Sequence, residues 1–105
     1  SLTLSDEFFR EATNLKVIDL TYMQFSSLPS SICHLTSLNT LCLDHCKLGD
    51  DITIIGGLRT LEILSLLRSD IRIVPEEIGQ LVKLKLLDVS WCTKLKTFHP
   101  ECCQV

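Results

Sequence analysis

Residues 38–48, "LNTLCLDHCKL", place Cys42, Asp44, His45 and Cys46 within five positions. Thiols, an imidazole and a carboxylate are groups that ligate zinc, or that pair a cysteine nucleophile with a histidine base. Zinc needs four ligands converging to about 2.0–2.3 Å from the ion. If 38–48 begins as a strand, Cys42 and Cys46 lie about 13 Å apart at about 3.3 Å per residue, beyond the span of a disulfide. The chain has no C-x-x-C pair to supply further ligands. His45 has no third residue in evidence to orient it and no oxyanion donors beside it. The stretch is therefore expected to hold no metal or cofactor and to contain no catalytic residue.

What positions these residues is an internal period. Leu15, Leu38, Leu61 and Leu84 are separated by 23 residues each time. Three residues on come Ile18, Leu41, Leu64 and Leu87; five on come Leu20, Leu43, Leu66 and Val89. Eight on sit Met23, Cys46, Ser69 and Cys92, and the columns Ile32/Ile55/Ile78 and Leu35/Leu58/Leu81 complete the unit. Each unit reads L-x-x-L-x-L-x-x-(C/M/S)-x-L, a leucine-rich-repeat pattern within the 20–29 residue range known for it. The predicted units are 15–37, 38–60, 61–83 and 84–105, preceded in 1–14 by the end of a partial repeat in which Phe9 and Ala12 fill the last two core columns.

Alternating apolar residues in "LKVIDLT" and its equivalents predict a short strand with one face inward. One unit cannot bury that face alone, so stacked units share a core. The expected fold is α/β: a right-handed leucine-rich-repeat solenoid with a parallel concave β-sheet and irregular, 3₁₀ or short-helical convex segments. Leu15, Leu38, Leu61 and Leu84 are its inward scaffold, with Cys46 and Cys92 turning in after the strand to donate to a neighbouring coil's backbone. Pro29 and Pro75 favour extended or turning backbone before the convex segment. Two units depart from the pattern. "GDDITIIGGL" has Asp51 and Ile52 in place of Leu-Pro and is expected to turn differently. "CTKLKTFHP" has one extra residue, which delays Leu95 and Phe98 by a step and puts Cys102 and Val105 in the last core columns. With no polar cap at either end, the chain reads as a piece of a longer array, expected to self-associate through its ends.

Composition narrows the function. The 105 residues are 46% apolar and 22% charged with net charge −3, which fits one packed domain. No basic stripe suits nucleic acid, and no apolar run approaches a membrane span of about 20 residues. The start lacks a signal-peptide pattern, so the six cysteines, exposed Cys33 and Cys103 included, are expected as free thiols in a reducing cytoplasm.

Function then falls to the concave positions between core columns. The seventh residue after each leading leucine is Tyr22, His45, Arg68 and Trp91. Tyr, Arg and Trp are enriched at binding hot spots, so this row is the leading candidate for a partner. Asp19, Asp44, Leu67 and Asp88 share the face, as do the apolar Val17, Ile63 and Leu86.

"NLKVIDLTYMQFSSLPSSICHLTSLNTLCLDHCKLGD" and "TLEILSLLRSDIRIVPEEIGQLVKLKLLDVSWCTKL" resemble the repeats of plant nucleotide-binding leucine-rich-repeat disease-resistance proteins of the coiled-coil type. The shared features are L-P-x-x-I-x-x-L, L-x-L-x-x-C-x-L-G-D and the closing C-T-K-L-K; L-P-x-x-I also occurs in cytosolic Ras-group repeat adaptors. The resemblance implies a cytoplasmic sensor. Its repeats would recognise a pathogen effector or a guarded host protein and hold the receptor's own nucleotide-binding domain inactive. No G-x-x-x-x-G-K-[ST] phosphate loop occurs in these 105 residues, so none of them forms that nucleotide site.

Overall fold

The computed structural model describes residues 4–98. The chain winds through successive coils, each opening on a three-residue strand: β1 (Val17–Asp19), β2 (Thr40–Cys42), β3 (Ile63–Ser65) and β5 (Leu86–Asp88). They form one parallel sheet in the order β1-β2-β3-β5. Pairing runs Ile18↔Leu41↔Leu64↔Leu87, a shift of 23 residues at each step. The strands form because the central residue of each is apolar and its flanking residues point the other way. Ile18, Leu41 and Leu64 are buried and Leu87 half-buried, while Val17, Asp19, Ile63 and Leu86 are exposed.

On the far side of the first three coils the chain returns through a 3₁₀ turn: η1 (Ser30–His34), η2 (Thr53–Gly57) and η3 (Glu76–Gln80). Pro29 and Pro75 precede η1 and η3 with φ of −60° and −71° and extended ψ, the geometry their rings favour. The second coil was expected to turn differently, and the difference is confined to its entry. Ile52 takes the proline position with φ −114° and ψ 17°, yet η2 follows as in the other coils. Asp51 organises that entry, its carboxylate accepting from Thr53 N at 2.9 Å and Thr53 Oγ1 at 2.6 Å.

A second, two-stranded parallel sheet pairs β4 (Ile73–Val74) with β6 (Thr97–Phe98). Here the register is Ile73↔Thr97 and Val74↔Phe98, a shift of 24. The extra residue between Cys92 and Thr97 is thus absorbed in the loop, and pairing resumes beyond it. Leu95 is half-buried. The expectations for Cys102, Cys103 and Val105 lie outside the described residues.

The core is one apolar column stack between the sheet and the 3₁₀ side. Leu38, Leu41, Leu43, Leu61, Leu64 and Leu66 are completely buried, as are Leu35, Leu48 and Ile55. Phe9 closes the first coil, its N–H donating to the buried Ser31 Oγ at 2.9 Å. One scaffold expectation is corrected: Leu15 is 43% exposed, although Leu38, Leu61 and Leu84 in the same column are buried. Each of those three leucines has a β-strand in the coil before its own, whereas the chain from Leu4 to Asn14 contributes turns and no strand to cover Leu15. A core position in a solenoid is buried by the neighbouring coil as much as by its own.

Candidate binding face

The end of each strand decides what this face presents. The sheet ladder continues past the strands: Leu20 N donates to Cys42 O at 2.9 Å, Leu43 N to Ser65 O at 2.8 Å and Leu66 N to Asp88 O at 2.8 Å. Two residues later the chain must leave the sheet abruptly. It does so through Tyr22, His45, Arg68 and Trp91, which have φ of 65°, 56°, 56° and 60°. They are the described residues other than glycine with positive φ. The left-handed region costs a side-chain-bearing residue roughly 1–2 kcal/mol, which the surrounding hydrogen bonds must offset. Tyr22 N donates to Asp44 O at 3.0 Å, His45 N to Leu67 O at 2.8 Å and Arg68 N to Ser90 O at 2.9 Å.

The reversal sends the next residue inward. Cys46 Sγ donates to Leu20 O at 2.9 Å, and Cys92 Sγ to Leu66 O at 2.9 Å. Each thiol reaches the carbonyl of the preceding coil, so these two cysteines are rungs of the scaffold. Ser69, between them in the stack, is buried with its Oγ 3.7 Å from Cys92 Sγ. Burial pushes the Cys46 thiol above its ordinary value. Desolvation likewise raises Cys42, whose Sγ lies on the sheet side 3.9 Å from Thr21 Oγ1. Both shifts disfavour the thiolate that nucleophilic or metal chemistry requires. Among the described residues, no group of three His, Cys, Asp or Glu side chains is placed to hold a metal ion.

The same reversal turns the preceding row outward. Tyr22 is 72% and Trp91 69% exposed, Arg68 is exposed and His45 half-buried. The four form two contacts along the stack. The Tyr22 and His45 rings stack at 4.6 Å with 26° between planes, and the Arg68 guanidinium sits 5.6 Å from the centre of the Trp91 ring. Such pairs pre-order large side chains at low entropic cost, which favours recognition.

The carboxylates on the face have a different role. Asp44 Oδ1 accepts from Ser65 Oγ at 2.5 Å and Leu67 N at 3.0 Å, tying the second coil to the third. Asp19 accepts from the hydroxyl and the backbone N–H of Thr21, and these bonds, the hydroxyl's first, hold it below the ordinary carboxylate value. Asp88 is lowered in the same way by Ser90. All three acids are therefore engaged in organising the turns. Leu67 is half-buried, whereas Val17 at 62% and Leu86 at 53% exposure leave apolar surface beside the row. Lys85 and Glu62 pair at 3.2 Å on the rim. The spacing of residues located this face; the left-handed turn and the two ring contacts were not legible there, because no glycine or asparagine marks the column.

Comparison with known proteins follows the same lines. A family profile described as Leucine Rich Repeat matches residues 14–35. The adenylate cyclase of Schizosaccharomyces pombe is 32% identical over 105 residues, taking in 89% of this chain and 6% of that protein. Among solved structures, the plant peptide hormone receptor RGFR1 in complex with RGF2 superposes with a TM-score of 0.62 at 23% identity, over 93% of this chain and 19% of the receptor. A Leptospira interrogans protein with such repeats gives a TM-score of 0.57 at 22% identity, over 93% of this chain and 36% of its own. At these identities the two structures speak to the fold.

Proposed function

The chain is a leucine-rich-repeat domain, and from that premise we propose that it is a non-catalytic recognition module of a plant intracellular immune receptor. In this reading it acts in the cytoplasm, senses an effector or a guarded host protein, and restrains the receptor's own nucleotide-binding domain. The observation that carries the recognition role is the outward row of Tyr22, His45, Arg68 and Trp91, held in left-handed backbone and paired ring to ring and cation to ring. Four side chains kept in a costly conformation at one column, three of them exposed, are better suited to contact than to filling space. The raised thiols of Cys42 and Cys46 weigh against an enzyme. The receptor assignment is supported by the resemblance of the repeat units. Self-association through exposed apolar side chains such as Phe8 and Leu15 belongs to the same proposal.

The test is binding of the chain to the nucleotide-binding domain encoded in the same protein. Joint replacement of Tyr22, Arg68 and Trp91 by alanine should weaken that complex at least tenfold, about 1.4 kcal/mol, with an unchanged urea midpoint. Undiminished binding by the variant would remove the row from the account. Coding sequence upstream without a phosphate loop would remove the receptor assignment. The L-P-x-x-I element at Leu28–Ile32 supports a second reading, a cytosolic adaptor or scaffold of the Ras-group type.

A further inference from the structure

The chain carries 10 basic and 13 acidic residues, yet one flank of it runs against that balance. Where the third and fourth coils leave the aromatic row, Arg68, Arg72, Lys94 and Lys96 are all exposed. Lys96 N donates to Arg72 O at 2.8 Å, which sets those two side chains on adjacent coils, and Arg68 lies against Trp91. The carboxylate within this flank, Asp70, turns back to the second coil, where it accepts from Leu48 N at 2.9 Å. Among the described residues the ion pairs are Arg10–Glu7 and Lys85–Glu62, so none of the four cations has a carboxylate partner.

Four exposed cations with no carboxylate partner among the described residues, one of them lying against an exposed indole, define the chemistry of a complement. Stacked on Trp91, the Arg68 guanidinium keeps N–H edges free for a carboxylate. Coils about 4.8 Å apart spread the charges over a short distance, which an extended chain can follow side chain by side chain. A duplex or a bilayer surface would extend past these two coils and meet the rest of a net-negative molecule. We propose that this flank docks an extended acidic segment of a partner protein, with its carboxylates on Arg68, Arg72, Lys94 and Lys96 and an apolar side chain against Trp91. The inference rests on the row being a recognition surface and names the chemistry of what it recognises.

Trp91 is the one tryptophan of the chain, so its emission reports the site directly. The probe is a synthetic peptide of Glu and Asp around a central leucine, compared with its Gln/Asn counterpart, with oligo-dT and with phosphatidylserine vesicles. The expected result is a saturable change in Trp91 emission with the acidic peptide that weakens as salt is raised, and at least tenfold weaker binding by Arg72→Glu/Lys96→Glu at unchanged circular dichroism. Equal binding of the neutral peptide, retained affinity in the charge-reversed variant, or response to oligo-dT or vesicles without response to the peptide would each overturn it. Should the acidic peptide fail while the Tyr22/Arg68/Trp91 alanine variant still loses the nucleotide-binding domain, the recognition row stands and the acidic segment falls. The opposite pair of results would leave the acidic site standing and remove the nucleotide-binding domain as its partner.

Discussion

Cys46 and Cys92 show how far a residue's chemistry depends on what it faces. In the sequence Cys46 belongs to a thiol, imidazole and carboxylate cluster and Cys92 is its counterpart two units on; in the fold each thiol is a buried donor to a carbonyl one coil back. Cys46→Ala would leave Leu20 O without that donor, and a drop of about 1–3 kcal/mol in urea denaturation is expected. An unchanged midpoint would show that the rung contributes nothing. The carboxylates give a second prediction. Asp19, Asp51 and Asp88 all titrate below the ordinary 3.8 because hydrogen bonds from Thr21, Thr53 and Ser90 favour their charged forms. A lowered folded value means stability that is full above the unfolded value and lost as pH falls through the folded one. The urea midpoint should therefore stay level on the alkaline side of the ordinary carboxylate range and decline below pH 3.8, with Asp19→Asn reducing the decline. The effect is small because these groups are exposed and screened. A variant with an unaltered acid limb would contradict the assignment.

At the scale of elements, the strands are short enough that their neighbours define them. β1, β2, β3 and β5 are three residues each, far from stable alone, and their pairing register is what the 23-residue period encodes. The 3₁₀ side is set by close approach. A Cβ at Gly56 would stand 2.5 Å from Glu77 O, so glycine is what lets η2 lie against η3. Gly57, one position on, has open space around it. Gly56→Ala should cost about 1–3 kcal/mol as overpacking, while Gly57→Ala stays within about 0.5 kcal/mol. Similar midpoints for the two variants would mean that the helical turns are free to separate. The period foretold a turn at this place; only the packing of two coils shows which glycine it depends on.

For the whole molecule, each coil touches the coils beside it, so stability is expected to be graded along the stack. The core-column leucines Leu38, Leu41, Leu43, Leu61, Leu64 and Leu66 of the second and third coils are wholly buried, but Leu15 and Leu20 in the first and Leu87 and Val89 in the fourth retain exposure. Hydrogen exchange should accordingly be slowest for the amides of Leu41, Leu43, Leu64 and Leu66 and faster for Ile18 and Leu87. Uniform protection across the sheet would indicate a single all-or-none unit.

Much of this architecture was legible before any coordinates. Residues 23 apart had to share an interior because no single unit could bury its own leucines, and that requirement alone selects a parallel stack, separates Cys42 from Cys46 and places Tyr22, His45, Arg68 and Trp91 in one outward row. Tertiary structure decided the rest. The exposure of Leu15 depends on which coil covers it, and the engagement of Asp44 on where Ser65 and Leu67 fall across the sheet. The left-handed turn goes against the preferences of the four residues that make it, and at Tyr22, His45 and Arg68 a carbonyl of the next coil holds the amide. A period records which residues must meet; the energy of strained turns and shared hydrogen bonds exists only once they have met.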